Sequence, residues 1–403
     1  MHSNPHASRR AVPSACHREG RICLQTAPMP LWSAPRLRKL QETRAGLAHT
    51  IATGAPRCSV GALPGLPSVL LWAVLACLFL PLEVRADDAA APWRPVFRRP
   101  TGSPPAPADN PMAPDRIALG ARLFADPRLS GSGERSCASC HRTELAFTDG
   151  RRRAKAVSGA PLRRNTPSLW NLAWSKHYFW DGRAASLEEQ VRKPIEAADE
   201  MGGDWPTILA RLGADVELAG LFRAAFGDKA PVSQDAVAKA LAAYVRSLVS
   251  PATRFDAWIE GDAGALSEAE VRGFRLFTGK AACMLCHAGW RFTDDRFHDI
   301  GLRGADPGRG AVPGGTPGLR AFKTPSLREA AHTPPYMHDG SVPTLAAVVA
   351  HYAGRFVARL GLAPSMNRAL RLSPRERADL VAFLRTLSTE AAPLRSGRRH
   401  PPE

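Results

Sequence analysis

Two short motifs in the 403-residue sequence have the residue types and spacing that attach haem covalently: Cys-x-x-Cys-His at residues 137–141 and again at 283–287. The two thiols can form thioethers with the vinyl groups of one haem, and the adjacent imidazole can ligate its iron. A four-thiolate zinc site is the alternative, but its cysteine pairs usually lie only ~15–20 residues apart. Here 142 residues separate the pairs, which favours two covalent haems. The attaching residues are Cys137, Cys140, Cys283 and Cys286, and the axial imidazoles are His141 and His287.

The sequence around the two haem motifs repeats, which predicts two similar haem-binding domains. Thr-Pro-Ser-Leu at 166–169 recurs at 324–327, and Asp-Gly at 181–182 recurs at 339–340, both at an offset of 158 residues. The haem motifs themselves are offset by only 146 residues. The second copy therefore has twelve extra residues after its haem motif, and we expect them in the Gly/Pro-rich stretch 301–318.

Local signals around this repeat favour helices. Ser267 with Glu270 and Ser373 with Glu376 form capping boxes, while long alternating patterns typical of strands do not occur in the sequence. We therefore expect a mostly α-helical protein with two cytochrome c-like domains, each carrying one covalent haem. The expected division is a flexible linker at 87–111, an N-terminal haem domain at 112–255, a C-terminal haem domain at 256–395 and a tail at 396–403. Residues 254–265 are expected to join the two domains.

The N-terminal region has the features of a leader. Residues 69–80 are apolar but too few for a membrane span, which needs about 20 residues. They fit the core of a signal peptide, and residues 84–86 supply a cleavage site. We expect residues 1–86 to be removed on export to the periplasm, with a true start codon nearer the apolar run; an uncleaved anchor is the alternative. Cleavage would reduce the net charge from +17 to +10 and the cysteines from eight to four, which argues against nucleic-acid binding.

The repeat also allows a comparison of the two haem sites. Tyr352 lies on an expected helix after the second Asp-Gly pair, and the offset of 158 places Pro194 at the same position of the first copy. Tyrosine can ligate ferric iron and proline cannot, so the first iron is expected to be open to peroxide and the second closed. Gln190 corresponds to Val348, and Glu200 is the candidate base for peroxide cleavage, with a solvated helix charge as the alternative. His351 and Met366 are alternatives to Tyr352 as the second iron's ligand.

Three segments carry a family resemblance: Phe-Trp-Asp-Gly-Arg at 179–183, Arg-Asn-Thr-Pro-Ser at 164–168 and Pro-Tyr-Met-His-Asp-Gly at 335–340. With the two haem motifs, they resemble the bacterial di-haem cytochrome c peroxidases, a family that includes MauG, the maturation enzyme of methylamine dehydrogenase. The resemblance implies a low-potential peroxidatic haem in the N-terminal domain and a high-potential electron-transfer haem in the C-terminal domain.

The same resemblance assigns roles to individual residues. Trp180 matches the tryptophan between the haems, and Gln190 and Glu200 match residues of the peroxidatic pocket. The family also binds one calcium ion between the domains. The matching positions are the side chain of Asn165 and the backbone carbonyls of Thr333 and Pro335.

Two departures from the ordinary peroxidases resemble MauG. No histidine lies between His141 and Asn165, where those peroxidases carry one that caps the peroxidatic iron, and Tyr352 stands where they have methionine. MauG, however, has a surface tryptophan two residues before its second haem motif, and this chain has Ala281 there.

The expected activity is reduction of hydrogen peroxide at the N-terminal haem, with electrons from a small cytochrome c or cupredoxin delivered through the C-terminal haem. The first alternative is a MauG-like oxidase that uses peroxide-derived high-valent haems to oxidise aromatic residues of a partner protein or a small substrate. The second is a di-haem electron carrier without catalysis. The resemblance also raises the expectation of a homodimer.

Overall fold

The computed structural model describes residues 89–314, 320–366 and 370–390, so the expected leader at 1–86 and tail at 396–403 lie outside the described residues. The mostly helical expectation is confirmed. Within the described residues ten α-helices and one pair of two-residue strands occur. The helices are α1 (Arg94–Phe97), α2 (Pro114–Phe124), α3 (Leu187–Glu196), α4 (Trp205–Gly213), α5 (Val216–Phe226), α6 (Gln234–Ser247), α7 (Arg254–Glu260), α8 (Glu268–Thr278), α9 (Leu345–Ala350) and α10 (Pro374–Arg385).

The buried hydrophobic side chains form two cores. The first core draws on residues 119–248 and the second on residues 255–387, together with Ala90 and Phe97. We call residues 112–250 the first half and residues 251–390 the second half. Each core consists largely of buried leucine, phenylalanine and alanine side chains, which hold the helices of that half together.

A crossing of two helices recurs in each half. In the first half α2 packs on α6, and Gly120 lies so close to α6 that a Cβ there would overlap the carbonyl oxygen of Ala240. In the second half α8 packs on α10, and Gly273 meets the carbonyl oxygen of Asp379 in the same way. Glycine is required at both crossings because only a residue without a side chain lets the two backbones approach this closely.

Capping interactions explain where the helices of the second half begin. Ser267 and Glu270 form the expected capping box at α8, and Ser373 and Glu376 form the other at α10. Each box satisfies backbone N–H groups that the first turn of a helix leaves without partners.

The expectation of a flexible linker at 87–111 is wrong for its first part. Residues 91–97 are helical, and Phe97 is fully buried in the second core. Its ring stacks on Phe292 at a centroid distance of 5.0 Å and meets the edges of Phe255 and Phe274. The proline-rich surroundings suggested a linker, but the burial of this aromatic side chain fixes the segment against the second half.

The expectation that residues 254–265 join the domains is also wrong. Residues 254–260 form α7, which begins at a capping box between Thr253 and Asp256. Trp258 and Ile259 are buried in the second core. The segment therefore belongs to the second half and is held there by apolar burial.

The repeat is visible in the structure. Ser186 caps α3 and Thr344 caps α9, each accepting a hydrogen bond from the backbone N–H three residues later. Strand β1 (Phe297–His298) pairs antiparallel with β2 (Phe322–Lys323), and the pair encloses the extra residues of the second copy. In the described part of the chain we find no helix both long and apolar enough to cross a membrane.

Candidate active site

One cavity of about 790 Å³ contains side chains from both halves. All of the predicted attachment, catalytic and calcium-site residues lie on its wall. They are Cys137, Cys140, His141, Asn165, Trp180, Gln190 and Glu200 from the first half, and Cys283, Cys286, His287, Thr333, Pro335 and Tyr352 from the second. The structure thus brings together residues that lie more than 200 positions apart in the sequence.

The two candidate proximal histidines make the same kind of backbone hydrogen bond. The Nδ1–H of His141 donates to the carbonyl oxygen of Phe147 at 2.8 Å, and that of His287 donates to Phe292 at 2.7 Å. This hydrogen bond orients the ring so that Nε2 is the nitrogen that could ligate a haem iron. Burial lowers the pKa of His141 and lowers that of His287 to about 4, which keeps both imidazoles neutral as ligation requires.

The cysteines do not form the alternative zinc site. In each motif the first cysteine begins a 3₁₀ turn, at Cys137–Ser139 and at Cys283–Leu285. Over residues 89–314, 320–366 and 370–390, only one group of three or more metal-binding side chains is close enough to share an ion, and it contains a single cysteine, Cys286. Two separate Cys-x-x-Cys-His turns on one large cavity fit two covalent haems.

The first-half pocket is built by α3 and the turn after it. Gln190 and Pro194 are one helical turn apart on α3, and both lie on the cavity wall. Helix α3 ends at Glu196, and Glu200 follows in a turn closed by a hydrogen bond from its backbone N–H to the carbonyl oxygen of Ala197. Burial raises the pKa of Glu200, with Arg183 opposing the shift and Asp199 adding to it. This environment suits a group that accepts and returns a proton.

The second-half pocket has different side chains at the matching positions. Val348 and Tyr352 lie on the cavity wall where the first half has Gln190 and Pro194. Tyr352 is in a turn of π-helix, residues 351–355, which extends α9. Burial raises the pKa of Tyr352, so the phenol stays protonated unless a cation stabilises its ionised form.

The two alternatives to Tyr352 are placed differently. The Nε2 of His351 is 2.8 Å from the carbonyl oxygen of Ile300, and the imidazole does not lie on the cavity wall. Met366 does lie on the wall and is buried. The cavity therefore presents Tyr352 and Met366 to the second haem site, and not His351.

Trp180 lies where the two halves meet. Its indole Nε1–H donates to the carbonyl oxygen of Asn165 in the first half at 2.9 Å. Its own carbonyl oxygen accepts from the backbone N–H of Lys323 in the second half at 2.7 Å. The position of this indole thus depends on both halves.

The three candidate calcium ligands also lie near this junction. The side-chain Nδ2 of Asn165 donates to the carbonyl oxygens of Arg151 and Arg152 at 2.9 and 3.3 Å, so Oδ1 is the side-chain atom that could ligate a cation. The backbone N–H of Asn165 donates to the carbonyl oxygen of His338 across the halves at 2.8 Å. Neutral oxygen donors of this kind are suitable for calcium.

Sequence reasoning missed the charged residues around Trp180. Arg164 forms ion pairs with Asp181 at 2.6 Å and with Asp306 at 2.8 Å. Arg164 and Asp181 belong to the motifs that carry the family resemblance, but nothing in the sequence connects them with Asp306. That contact depends on how the extra residues of the second half fold.

The fold and the cavity define a di-haem protein of the c type. The family model for di-haem cytochrome c peroxidase matches residues 114–264, and the cytochrome c model matches residues 270–388. The chain belongs to the di-haem cytochrome c peroxidase family. It is an oxidoreductase of that type with two c-type haems.

Individual relatives agree with this assignment. The chain is 46% identical to methylamine utilization protein MauG of Methylorubrum extorquens over 81% of this chain and 96% of that protein. It is 33% identical to cytochrome c peroxidase Ccp of Escherichia coli over 70% of this chain and 60% of that protein. Its fold resembles the crystal structure of a MauG-like protein associated with microbial copper homeostasis. That likeness has a TM-score of 0.66 and 35% identity, and covers 73% of this chain and 95% of the other.

Proposed function

We propose that this protein is a periplasmic enzyme that uses hydrogen peroxide as an oxidant at its N-terminal haem and draws electrons through its C-terminal haem. One observation supports the proposal above all: the two halves of one cavity differ where peroxide would bind. Gln190, Pro194 and Glu200 line the first half, whereas Val348 and Tyr352 take the matching positions in the second. With these side chains, the first half is suited to react with peroxide and the second to transfer electrons.

In the first half Glu200 would handle the proton. Its carboxylate would accept a proton from hydrogen peroxide and return it to the leaving oxygen, which would depart as water. The Gln190 amide can donate or accept a hydrogen bond and so orient the peroxide. When bound, the haem supplies an iron that takes up peroxide and stores its oxidising power. The complete reaction consumes two electrons and two protons for each peroxide and yields two waters.

In the second half Tyr352 would close the iron to peroxide. A phenolate ligand stabilises higher oxidation states, so this site would store and pass on oxidising power rather than bind peroxide. Trp180, held between the halves, would carry electrons from the second site to the first.

We infer that the electrons come from aromatic side chains of a partner protein, in the manner of MauG. The identity to MauG, at 46% over 96% of that protein, and the tyrosine on the second-half wall support this choice. The second candidate is a peroxidase supplied by a small cytochrome c or cupredoxin, which the relationship to cytochrome c peroxidases supports.

Stopped-flow mixing with peroxide separates the two electron sources. In the MauG-like case the oxidised spectrum persists, and a reduced small cytochrome c or cupredoxin discharges it slowly. In the peroxidase case the same donor is oxidised rapidly, without prior reduction of the enzyme.

The difference between the halves is tested by EPR of the oxidised protein. We expect one high-spin and one low-spin ferric haem in the wild type, and two high-spin haems in Tyr352→Phe. Two low-spin signals in the wild type would contradict the open first site and favour a plain electron carrier. A low-spin signal that survives in Tyr352→Phe would assign the ligand to Met366 instead.

A further inference from the structure

We propose that the extra residues of the second half hold Trp180 in place, and that Arg164, Asp181 and Asp306 are positioning residues for electron transfer between the haems. We call these three side chains the latch. The proposal rests on the role proposed above for Trp180. It concerns residues for which neither the repeat nor the resemblance assigned a role.

The latch is an ion triad that crosses between the halves. Arg164 binds both carboxylate oxygens of Asp306, from its Nε at 2.8 Å and its Nη2 at 2.9 Å, and its Nη1 binds Asp181 at 2.6 Å. The three side chains are 14, 12 and 8% exposed, for Arg164, Asp306 and Asp181. A largely buried arginine with a bidentate contact has a single well-defined geometry. The triad therefore fixes the positions of Asp181 and Asp306 relative to Arg164, in addition to the attraction between opposite charges.

The charges of the latch persist over a wide pH range. Burial opposes ionisation of Asp306, but hydrogen bonds from Arg164 and from the backbone N–H of Gly308 hold its pKa at about 2. The pKa of Asp181 is lowered as well, because Arg164 and Arg183 outweigh its burial.

Asp306 lies within 301–318, the stretch in which we expect the twelve extra residues of the second half. A second residue of this stretch, Arg309, donates from Nη1 to the carbonyl oxygen of Gly182 at 2.7 Å and to that of Asp181 at 3.2 Å. The extra residues therefore hold the turn after Trp180 through both its side chain and its backbone.

Close packing supports the same contact. Gly182 has φ of +67°, and a Cβ on it would overlap the ring of Phe297 in β1. The guanidinium of Arg309 lies 4.7 Å from the centre of that ring. The turn thus lies directly on the strand pair that encloses the extra residues.

The latch acts on the indole through neighbouring residues. Arg164 and Asn165 are consecutive: Asn165 accepts the indole N–H of Trp180, and Arg164 binds the carboxylate of the residue after Trp180. Asp306 holds Arg164 from the other half. Loss of the Asp306 charge should let the indole shift relative to the second haem site, and even ~1 Å of misplacement can be costly for a positioned group.

The test uses the di-haem protein with one electron added by pulse radiolysis, following its redistribution between the haems by absorbance. We expect Asp306→Asn to slow redistribution by roughly tenfold, and Asp306→Glu to recover most of the rate. Asp235→Asn is the matched control, because Asp235 forms an exposed ion pair with Arg192 away from the cavity.

Trp180→Phe should also slow the reaction, and Asp306→Asn should add no further slowing to it. If Trp180→Phe slows the reaction by itself, full additivity of the two changes would overturn the latch.

Hydrogen exchange of residues 178–184 provides the second readout. Asp306→Asn should accelerate exchange there, while Asp235→Asn should not. Unchanged exchange in Asp306→Asn would reject the latch, whatever the electron-transfer rate. If Trp180→Phe leaves the rate unchanged but Asp306→Asn accelerates exchange, the latch holds the turn and the proposed electron path through Trp180 is wrong.

Discussion

At the scale of single residues, Glu200 has the most demanding role. Its carboxylate must be ionised to accept a proton, and burial raises its pKa above the ordinary value of 4.5. As the pH falls, the base is therefore lost earlier than it would be for an exposed glutamate. As the pH is lowered, the rate of peroxide consumption should therefore begin to fall at a higher pH than an exposed glutamate would give.

Glu200→Gln tests this role. It should slow the reaction with peroxide by about 10²–10⁴-fold and abolish the acid limb of the pH profile, with haem content unchanged. Stopped-flow kinetics across pH measures both effects. The matched control is Glu196→Gln, an exposed residue of α3 that does not line the cavity. Kinetics of Glu200→Gln equal to those of the control would remove Glu200 from the mechanism and leave it a structural charge.

How far residues can be predicted from the sequence is clear from the second haem site. The repeat and the resemblance both pointed to Tyr352, but its neighbour His351 has equally suitable chemistry. The structure separates them, since the His351 ring is engaged by the carbonyl oxygen of Ile300 and only Tyr352 lies on the cavity. A π-turn changes which side chain faces inward, and such a turn cannot be seen in the sequence.

At the scale of elements, Gly120 and Gly273 lie at two close helix crossings, α2 on α6 and α8 on α10. These crossings support the segments around the haem motifs. Gly120→Ala should reduce the free energy of unfolding by about 1–3 kcal/mol, because the new methyl group overlaps the Ala240 carbonyl and α2 must move away from α6. Gly273→Ala should behave alike at the crossing of α8 and α10. Denaturant unfolding of the holoprotein measures the change.

A glycine elsewhere in the first half provides the control. Gly220 is inside α5, and a Cβ there would meet only the end of the Arg223 side chain at an ordinary 3.8 Å. Gly220→Ala should leave stability unchanged or raise it by up to ~1 kcal/mol, since alanine is the better helix former. Equal losses in Gly220→Ala and Gly120→Ala would show that the close crossing is not the cause.

Element boundaries were predictable where local chemistry sets them. Capping boxes at Ser267 and Ser373 mark two helix starts in the sequence and in the structure. The placement of segment 91–97 was not predictable, because it depends on the packing of Phe97 on the second core. Residues 254–260 have a local helix signal in the Thr253–Asp256 capping box, but their place in the second half follows from the burial of Trp258, which the local pattern does not reveal.

At the scale of the whole molecule, the two halves meet through specific polar contacts. Arg291 of the second half donates to the hydroxyl oxygen of Ser175 at 3.0 Å and to the carbonyl oxygen of Trp174 at 2.9 Å, and the Trp174 and Trp290 rings meet edge to face. The repeat predicts two similar halves but not these contacts, because it describes each half separately. These contacts hold the two halves against each other, and the cavity is lined by residues of both.

Calcium is proposed to strengthen this junction. The Asn165 side chain comes from the first half, and the Thr333 and Pro335 carbonyls come from the second, so one ion bound by all three would join them. A ligand present at a hundred times its dissociation constant adds about 2.7 kcal/mol to the native state. A chelator should therefore lower the melting temperature of the holoprotein by several degrees, and added calcium should restore it.

Asn165→Ala separates the ion from a general effect of the chelator. This variant should melt at a lower temperature than the wild type, and neither chelator nor added calcium should change its melting temperature at concentrations that act on the wild type. Asn171→Ala is the control, since Asn171 is a buried asparagine that bonds Ser250 within the first half and does not line the cavity. It should be destabilised yet keep its full response to calcium.

Calcium analysis of the purified wild type should find one ion per chain. If the wild type contains no calcium and its melting temperature does not respond to the chelator, the halves are joined by protein contacts alone.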